Sequence, residues 1–110
     1  MLTYTAPLLR DIVEWDIHTW KRALFFWDRH APDIAGAKVL DLGARHGGLS
    51  LYFALRGCQV VCTSLEGPTD KAIELHRRYG VSSRVSYAAV DATATGYPND
   101  SFDIVCFKSV

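Results

Sequence analysis

A chain of 110 residues with twelve basic and twelve acidic side chains has no net field to draw it to nucleic acid or an anionic membrane. Its 49% hydrophobic and 22% charged residues suit one globular domain with a real but modest core. No apolar run reaches the ~20 residues of a membrane span and no basic-then-apolar leader is visible, so the expected address is the cytoplasm.

In chain order, the first ten residues read as irregular, because Pro7 bars an early helix. Val13, Ile17, Trp20, Leu24 and Trp27 then recur at helical spacing, with Asp11 or Asp16 available as N-cap. Such a stripe packs into a core. Pro32 ends the helix, so residues 1–37 read as a helical N-terminal extension of a single domain over 1–110. Lys38 to Leu42 reads as a short apolar strand, and Leu49 to Leu55 as a buried helix stopped by Gly57.

QVVCTSL (59–65) forms the second strand. Pro68 and Asp70 open a helix through His76 and Tyr79, closed by Gly80. RVSYAAV (84–90) is the third strand and, after the turn GYPND, FDIVCFKSV is the fourth. Strands alternating with helices imply an α/β fold with a parallel sheet and right-handed crossovers.

Cys58 and Cys62 lie four apart on one strand, hence ~13 Å apart at ~3.3 Å per residue, too far to bridge. With Cys106 they read as buried free thiols. His18, His30, His46 and His76 show no ligand spacing with each other or with cysteine, so no metal site is expected.

Gly43, Gly47 and Gly48 follow the first strand, where open α/β sheets bind ligands. A dinucleotide wants G-x-G-x-x-G there; Gly43 and Gly48 fit its ends, and Arg45 stands at its central glycine. A tight turn that binds nothing is the plainer alternative. The pattern D/E-x-G-x-G-x-G is matched by Asp41, Gly43 and Gly47, with Arg45 again in the central place. Asp41 repels a pyrophosphate and attracts an ammonium or sulfonium.

On these residues the chain, from Lys38 to Val110, resembles the class I S-adenosylmethionine-dependent methyltransferases. The resemblance implies a Rossmann-like, mostly parallel sheet in strand order 3-2-1-4 with helices on both faces. Residues 38–110 would be its cofactor-binding half. S-adenosyl-L-methionine is the implied cofactor, its methionine end cradled by Asp41, Gly43, Ala44, Arg45 and Gly47. The family places an acid for the ribose hydroxyls after strand two; Ser64 stands there, followed by Leu65 and Glu66, so Glu66 can reach back or the ribose is held less firmly. After strand three, Asp91 would accept from the adenine amino group, with the Ala92 N–H on the ring. The end of strand four, at Phe107, opens on the methyl-transfer site, while Asp103 stabilises the strand's entry.

Arg45 must avoid positive φ or accept strain. Its guanidinium can fork onto the cofactor's carboxylate, pair with Asp41, or point to solvent.

The implied function is methyl transfer to an acceptor that the sequence does not identify. The catalytic base is equally unread, because the family commonly places it after strand four. With Val110 inside strand four, the expectation is a domain cut short there, with an exposed strand edge that allows self-association. Two alternatives stay open, a non-catalytic relative (favoured by Arg45 and Ser64) and an NAD(P)-binding domain.

Overall fold

The computed structural model describes residues 2–108, and four parallel strands set its order. These are β1 (Lys38–Leu42), β2 (Gln59–Ser64), β3 (Val85–Ala89) and β4 (Ile104–Phe107), arranged β3-β2-β1-β4. This is the expected order. Asp41 pairs in register with Cys62 on one side and Cys106 on the other, so its side chain lies mid-sheet. Successive strands run outward from β1 in one direction until β4 returns to its other side, and a ligand crevice forms where the direction reverses. Asp103 closes the return as expected: its carboxylate accepts from Lys38 N at 2.8 Å and its N–H donates to Lys38 O. Ser109 and Val110, read as the end of strand four, lie outside the described residues.

Four helices accompany the strands: α1 (Ala6–Val13), α2 (Ile17–His30), α3 (Gly48–Leu55) and α4 (Asp70–Arg78). The irregular start expected from Pro7 is wrong. Pro7 sits in the first turn of α1, where its missing N–H would have had no helical partner, and Thr5 Oγ1 caps the helix by accepting from Leu8 N. The stripe from Val13 to Trp27 is therefore split between two helices. At the break, Glu14 and Asp16 take positive φ (68° and 54°), and Asp16 occupies the N-cap position without a side-chain capping bond.

The main core cluster lies on one face of the sheet, with Leu40 and Thr63 buried on the other. Val39, Val60, Val85 and Cys106 point into a cluster with Ile12, Leu24, Leu51 and Phe53. Buried almost throughout, α3 has no polar stripe and cannot stand in water. Here α1 rides directly on α3: a Cβ on Gly48 would fall 1.9 Å from Ile12 O. A buried polar clasp fixes α2, with Asp28 accepting from Tyr4 and Tyr52 hydroxyls (2.5 and 2.6 Å) beside the Arg56 guanidinium.

Helices on both faces were expected. Between β3 and β4, however, residues 90–103 form turns and extended chain, and the core cluster with its helices occupies the single face that carries Val39 and Cys106. Glycine and proline at 96 and 98 punctuate that segment and disfavour a helix there. The three cysteines are free and buried. Among the described residues no helix is long and apolar enough to cross a membrane.

Candidate functional site

The loop from β1 to α3 is a sequence of alternating conformations. Gly43, Arg45 and Gly47 all take positive φ (63°, 50° and 79°), so Arg45 accepts the strain that its place imposes. Two backbone bonds pin the loop, Ala44 N to Thr63 O and Gly47 N to Ala44 O, each 2.8 Å. A side chain has no room at Gly47, where a Cβ would lie 2.7 Å from the His76 ring. His76, fully buried, bonds Gly47 O through Nε2 (2.9 Å) and the Tyr87 hydroxyl through Nδ1 (2.6 Å). A carbonyl only accepts, so Nε2 carries the proton and Nδ1 accepts from Tyr87. Burial lowers the histidine's pKa and favours this neutral ring.

Beneath the loop lies an uncommon density of charge. Asp41 is 1% exposed and accepts from Ser50 Oγ at 2.7 Å. Burial pushes its pKa up to about 7, and the nearby Glu14 adds to the rise. Glu14 Oε2 accepts from Gly48 N at 3.3 Å, at the first turn of α3. Its Oε1 is buried with no hydrogen-bond partner among the described residues, as is His46 Nδ1. Burial raises the Glu14 pKa as well.

The cations beside these acids are committed elsewhere. Lys108, 7% exposed, donates to Val13 O and Trp15 O, and its ammonium lies 3.8 Å from the Trp15 ring centroid. The Arg45 guanidinium lies over the same ring at 4.6 Å, rather than pairing with Asp41. Between Glu14, Trp15, Asp41, Arg45 and Lys108 is a cavity of about 10 Å³. That is room for about one water. A cavity of about 530 Å³ also takes Glu14 and His46 into its lining, with Asp11, Asp70 and Arg78, and an apolar one of about 410 Å³ lies away from the loop, between α2, α3 and β4.

The other expected site residues sit in a different setting. The Ser64 hydroxyl donates to Gly67 O, and Ser64 O accepts from Val90 N at 2.9 Å, which ties the loops after β2 and β3 together. Leu65 is 71% exposed and Glu66 is exposed beside it. Asp91 is exposed and its Oδ1 accepts from Thr93 N (2.9 Å) and Thr93 Oγ1 (2.7 Å), bonds that hold its pKa below the usual carboxylate value. Ala92 is partly exposed next to it. Phe107, 62% exposed, pairs with Leu42 and so ends the sheet beside the glycine loop.

Asp41, Gly43, Ala44, Arg45 and Gly47 thus meet in one packed corner, while Ser64 and Asp91 share a pair of linked open loops. Glu14, Trp15, His76 and Lys108 were not among the expected site residues. For His76 a signal was present: with Ala72, Leu75 and Tyr79 it falls at helical spacing on the buried side of α4. For the others, none was.

A family model described as a methyltransferase domain matches residues 40–110. The chain is 31% identical over 107 residues to the ubiquinone/menaquinone biosynthesis C-methyltransferase UbiE of Shewanella frigidimarina, a match covering 89% of this chain and 40% of that protein. It is 42% identical over 86 residues to a ubiquinone biosynthesis O-methyltransferase of Chromobacterium violaceum, covering 77% and 37%. The chain therefore spans about two fifths of the length of these curated relatives. Among solved structures, coclaurine N-methyltransferase bound to N-methylheliamine and SAH superposes with a TM-score of 0.60 at 18% identity, covering 94% of this chain and 35% of that one. That last likeness is one of fold.

Proposed function

The chain belongs to the methyltransferase-domain family, and on that premise we propose that it carries the cofactor-binding half of an S-adenosylmethionine-dependent methyltransferase. The observation that carries the reading is the corner after β1. Beside the glycine loop stand the buried Asp41 and the half-buried Glu14, whose Oε1 has no hydrogen-bond partner, and no cation forms a salt bridge with either among the described residues. Such a corner suits the ammonium and sulfonium of S-adenosylmethionine and repels a pyrophosphate.

On this reading Asp41 and the backbone of Gly43, Ala44, Arg45 and Gly47 hold the methionine end. Ser64, Leu65 and Glu66 flank the ribose, Asp91 and Ala92 read the adenine, and Phe107 walls the transfer end. The cofactor, when bound, supplies a methyl group activated on a sulfonium. What the protein adds is position, since an in-line displacement gains most from holding donor and acceptor in register. The acceptor is not assigned. A cavity of about 10 Å³ admits no amino-acid moiety, so the Trp15 ring with Lys108 must yield on binding.

Calorimetric titration with S-adenosylhomocysteine and, separately, with NADH tests the proposal. Heat with the first and none with the second is expected. Binding of NADH alone assigns the loop to a dinucleotide. Binding of neither leaves the chain a non-catalytic relative, the reading that the small cavity and Arg45 favour.

A further inference from the structure

We infer that Glu14, carried by the turn between α1 and α2, binds the cofactor's ammonium group through its free carboxylate oxygen. The inference rests on the proposed cofactor. It adds to the site a residue from outside the Rossmann-like half of the chain.

Placement comes first. The backbone of α1 lies against Gly48 so closely that a methyl group could not be inserted, so the turn after α1 is fixed over the glycine loop. The chain spends conformational strain there, with Glu14 at φ 68° and ψ −54° and Asp16 left-handed, neither a glycine. Strain of this kind persists only where packing over-determines it, and it collects at ligand sites.

The carboxylate is then held in one orientation. Oε2 accepts from the Gly48 N–H, leaving Oε1 buried, without a partner among the described residues, on a residue that lines both the small cavity with Asp41 and a cavity of about 530 Å³ with His46. A buried carboxylate oxygen without a hydrogen bond is costly, and a second acid on the same cavity adds to the cost, which His46 and Arg45 offset in part. No nearby cation forms a salt bridge with Glu14 among the described residues. Lys108 spends its ammonium on the carbonyls of Val13 and Trp15, and Arg45 lies over Trp15.

An incoming ammonium has three donors and would meet acceptors from Glu14 and Asp41 together. Glu14 is tied to α3 by the Gly48 N–H, and admitting the ammonium requires the Trp15 ring and the Lys108 side chain to move.

The test is a thermodynamic cycle between protein and ligand. Calorimetry compares the unsubstituted chain with Glu14→Gln, using S-adenosylhomocysteine, its analogue lacking only the amino group, and 5′-methylthioadenosine, which lacks the amino-acid end. Glu14→Gln should weaken S-adenosylhomocysteine binding by roughly tenfold. It should leave 5′-methylthioadenosine unchanged and add nothing to the loss already caused by removing the amino group. Equal loss for all three ligands, or no loss for any, overturns the inference. An unsubstituted chain that binds no S-adenosylhomocysteine overturns the cofactor reading as well, so the two failures are distinct. Should Glu14→Gln not fold, Glu14→Asp, whose carboxylate stops one methylene short of the cavity, is judged by the same outcomes.

Discussion

The two ends of the site are built on opposite terms. At the glycine loop every group is packed, strained or charged: Asp41 is buried, Arg45 is left-handed, and the Trp15 ring lines the small cavity beside them. At the loops after β2 and β3 the groups are exposed and already satisfied by near neighbours, Ser64 by Gly67 and Asp91 by Thr93. The first end takes its shape from tertiary packing, the second from local turns. Substitutions at the first should therefore disturb folding and binding together. Those at the second should disturb binding alone.

The largest break in that contrast is expected from Gly48→Ala. The new methyl would stand 1.9 Å from a backbone oxygen of α1, and backbone cannot yield as a side-chain tip does. Either α1 lifts off α3 or α3 shifts within the core, at a cost of about 3–5 kcal/mol. Urea unfolding should show the loss. Gly80→Ala is the control: its Cβ would meet nothing within 4 Å, although φ is +72°, so only the backbone strain of about 1 kcal/mol is expected.

Next in size is Asp41→Asn. In the folded chain burial raises the Asp41 pKa from 3.8 to about 7, so the fold binds a proton that the unfolded chain releases. The contribution is fully present below about pH 4 and is lost as pH rises through 7, reaching at most about 4 kcal/mol. Replacing the acid by a neutral amide should flatten this slope, and the variant should be more stable than the parent at pH 8 but not at pH 4. Binding of S-adenosylhomocysteine should fall at the same time, since the charge is gone. Stability gained and binding lost at one residue is the signature of an acid kept buried for a ligand. Unfolding curves at the two pH values, with calorimetry at pH 8, would decide it; a parent whose stability is level over that range sinks the argument.

The same contrast decides what could be read from the sequence. β1 was legible residue for residue, because a short apolar run bounded by a charged start and a glycine leaves little choice. So was the acid-and-glycine spacing from Asp41 to Gly47, a local pattern whose meaning depends only on the strand before it. α1 was missed because proline was weighed as a helix breaker when it stood at a helix start, with Thr5 as the cap. The turn read from GYPND between the third and fourth strands was legible as well, whereas helices on both faces were implied only by the fold family. Glu14, Trp15 and Lys108 left no trace in spacing. They reach the glycine loop from the two far ends of the chain, and the positive φ of Glu14 and Asp16 is enforced by packing on residues that do not ask for it.

The smallest effect, and the sharpest test of the comparison, belongs to Asp91→Asn. Oδ1 of Asp91 accepts from both the N–H and the hydroxyl of Thr93, so the turn after β3 is shaped before any ligand arrives. An asparagine oxygen can accept the same two bonds, and the fold should therefore melt as the parent does. What changes is the other oxygen. On the proposed reading Oδ2 accepts from the adenine amino group, and in the variant an NH₂ would face that donor instead. Affinity for S-adenosylhomocysteine should fall by roughly tenfold, the scale of one hydrogen bond to a charged acceptor. Because the lost contact is to adenine, 5′-methylthioadenosine should lose the same factor, the reverse of the pattern expected for Glu14→Gln. Calorimetry with the two ligands on the two variants thus separates the ends of the site. If Asp91→Asn binds both ligands as tightly as the parent while melting alike, Asp91 is only the cap that holds Thr93, and the adenine reading of this loop fails.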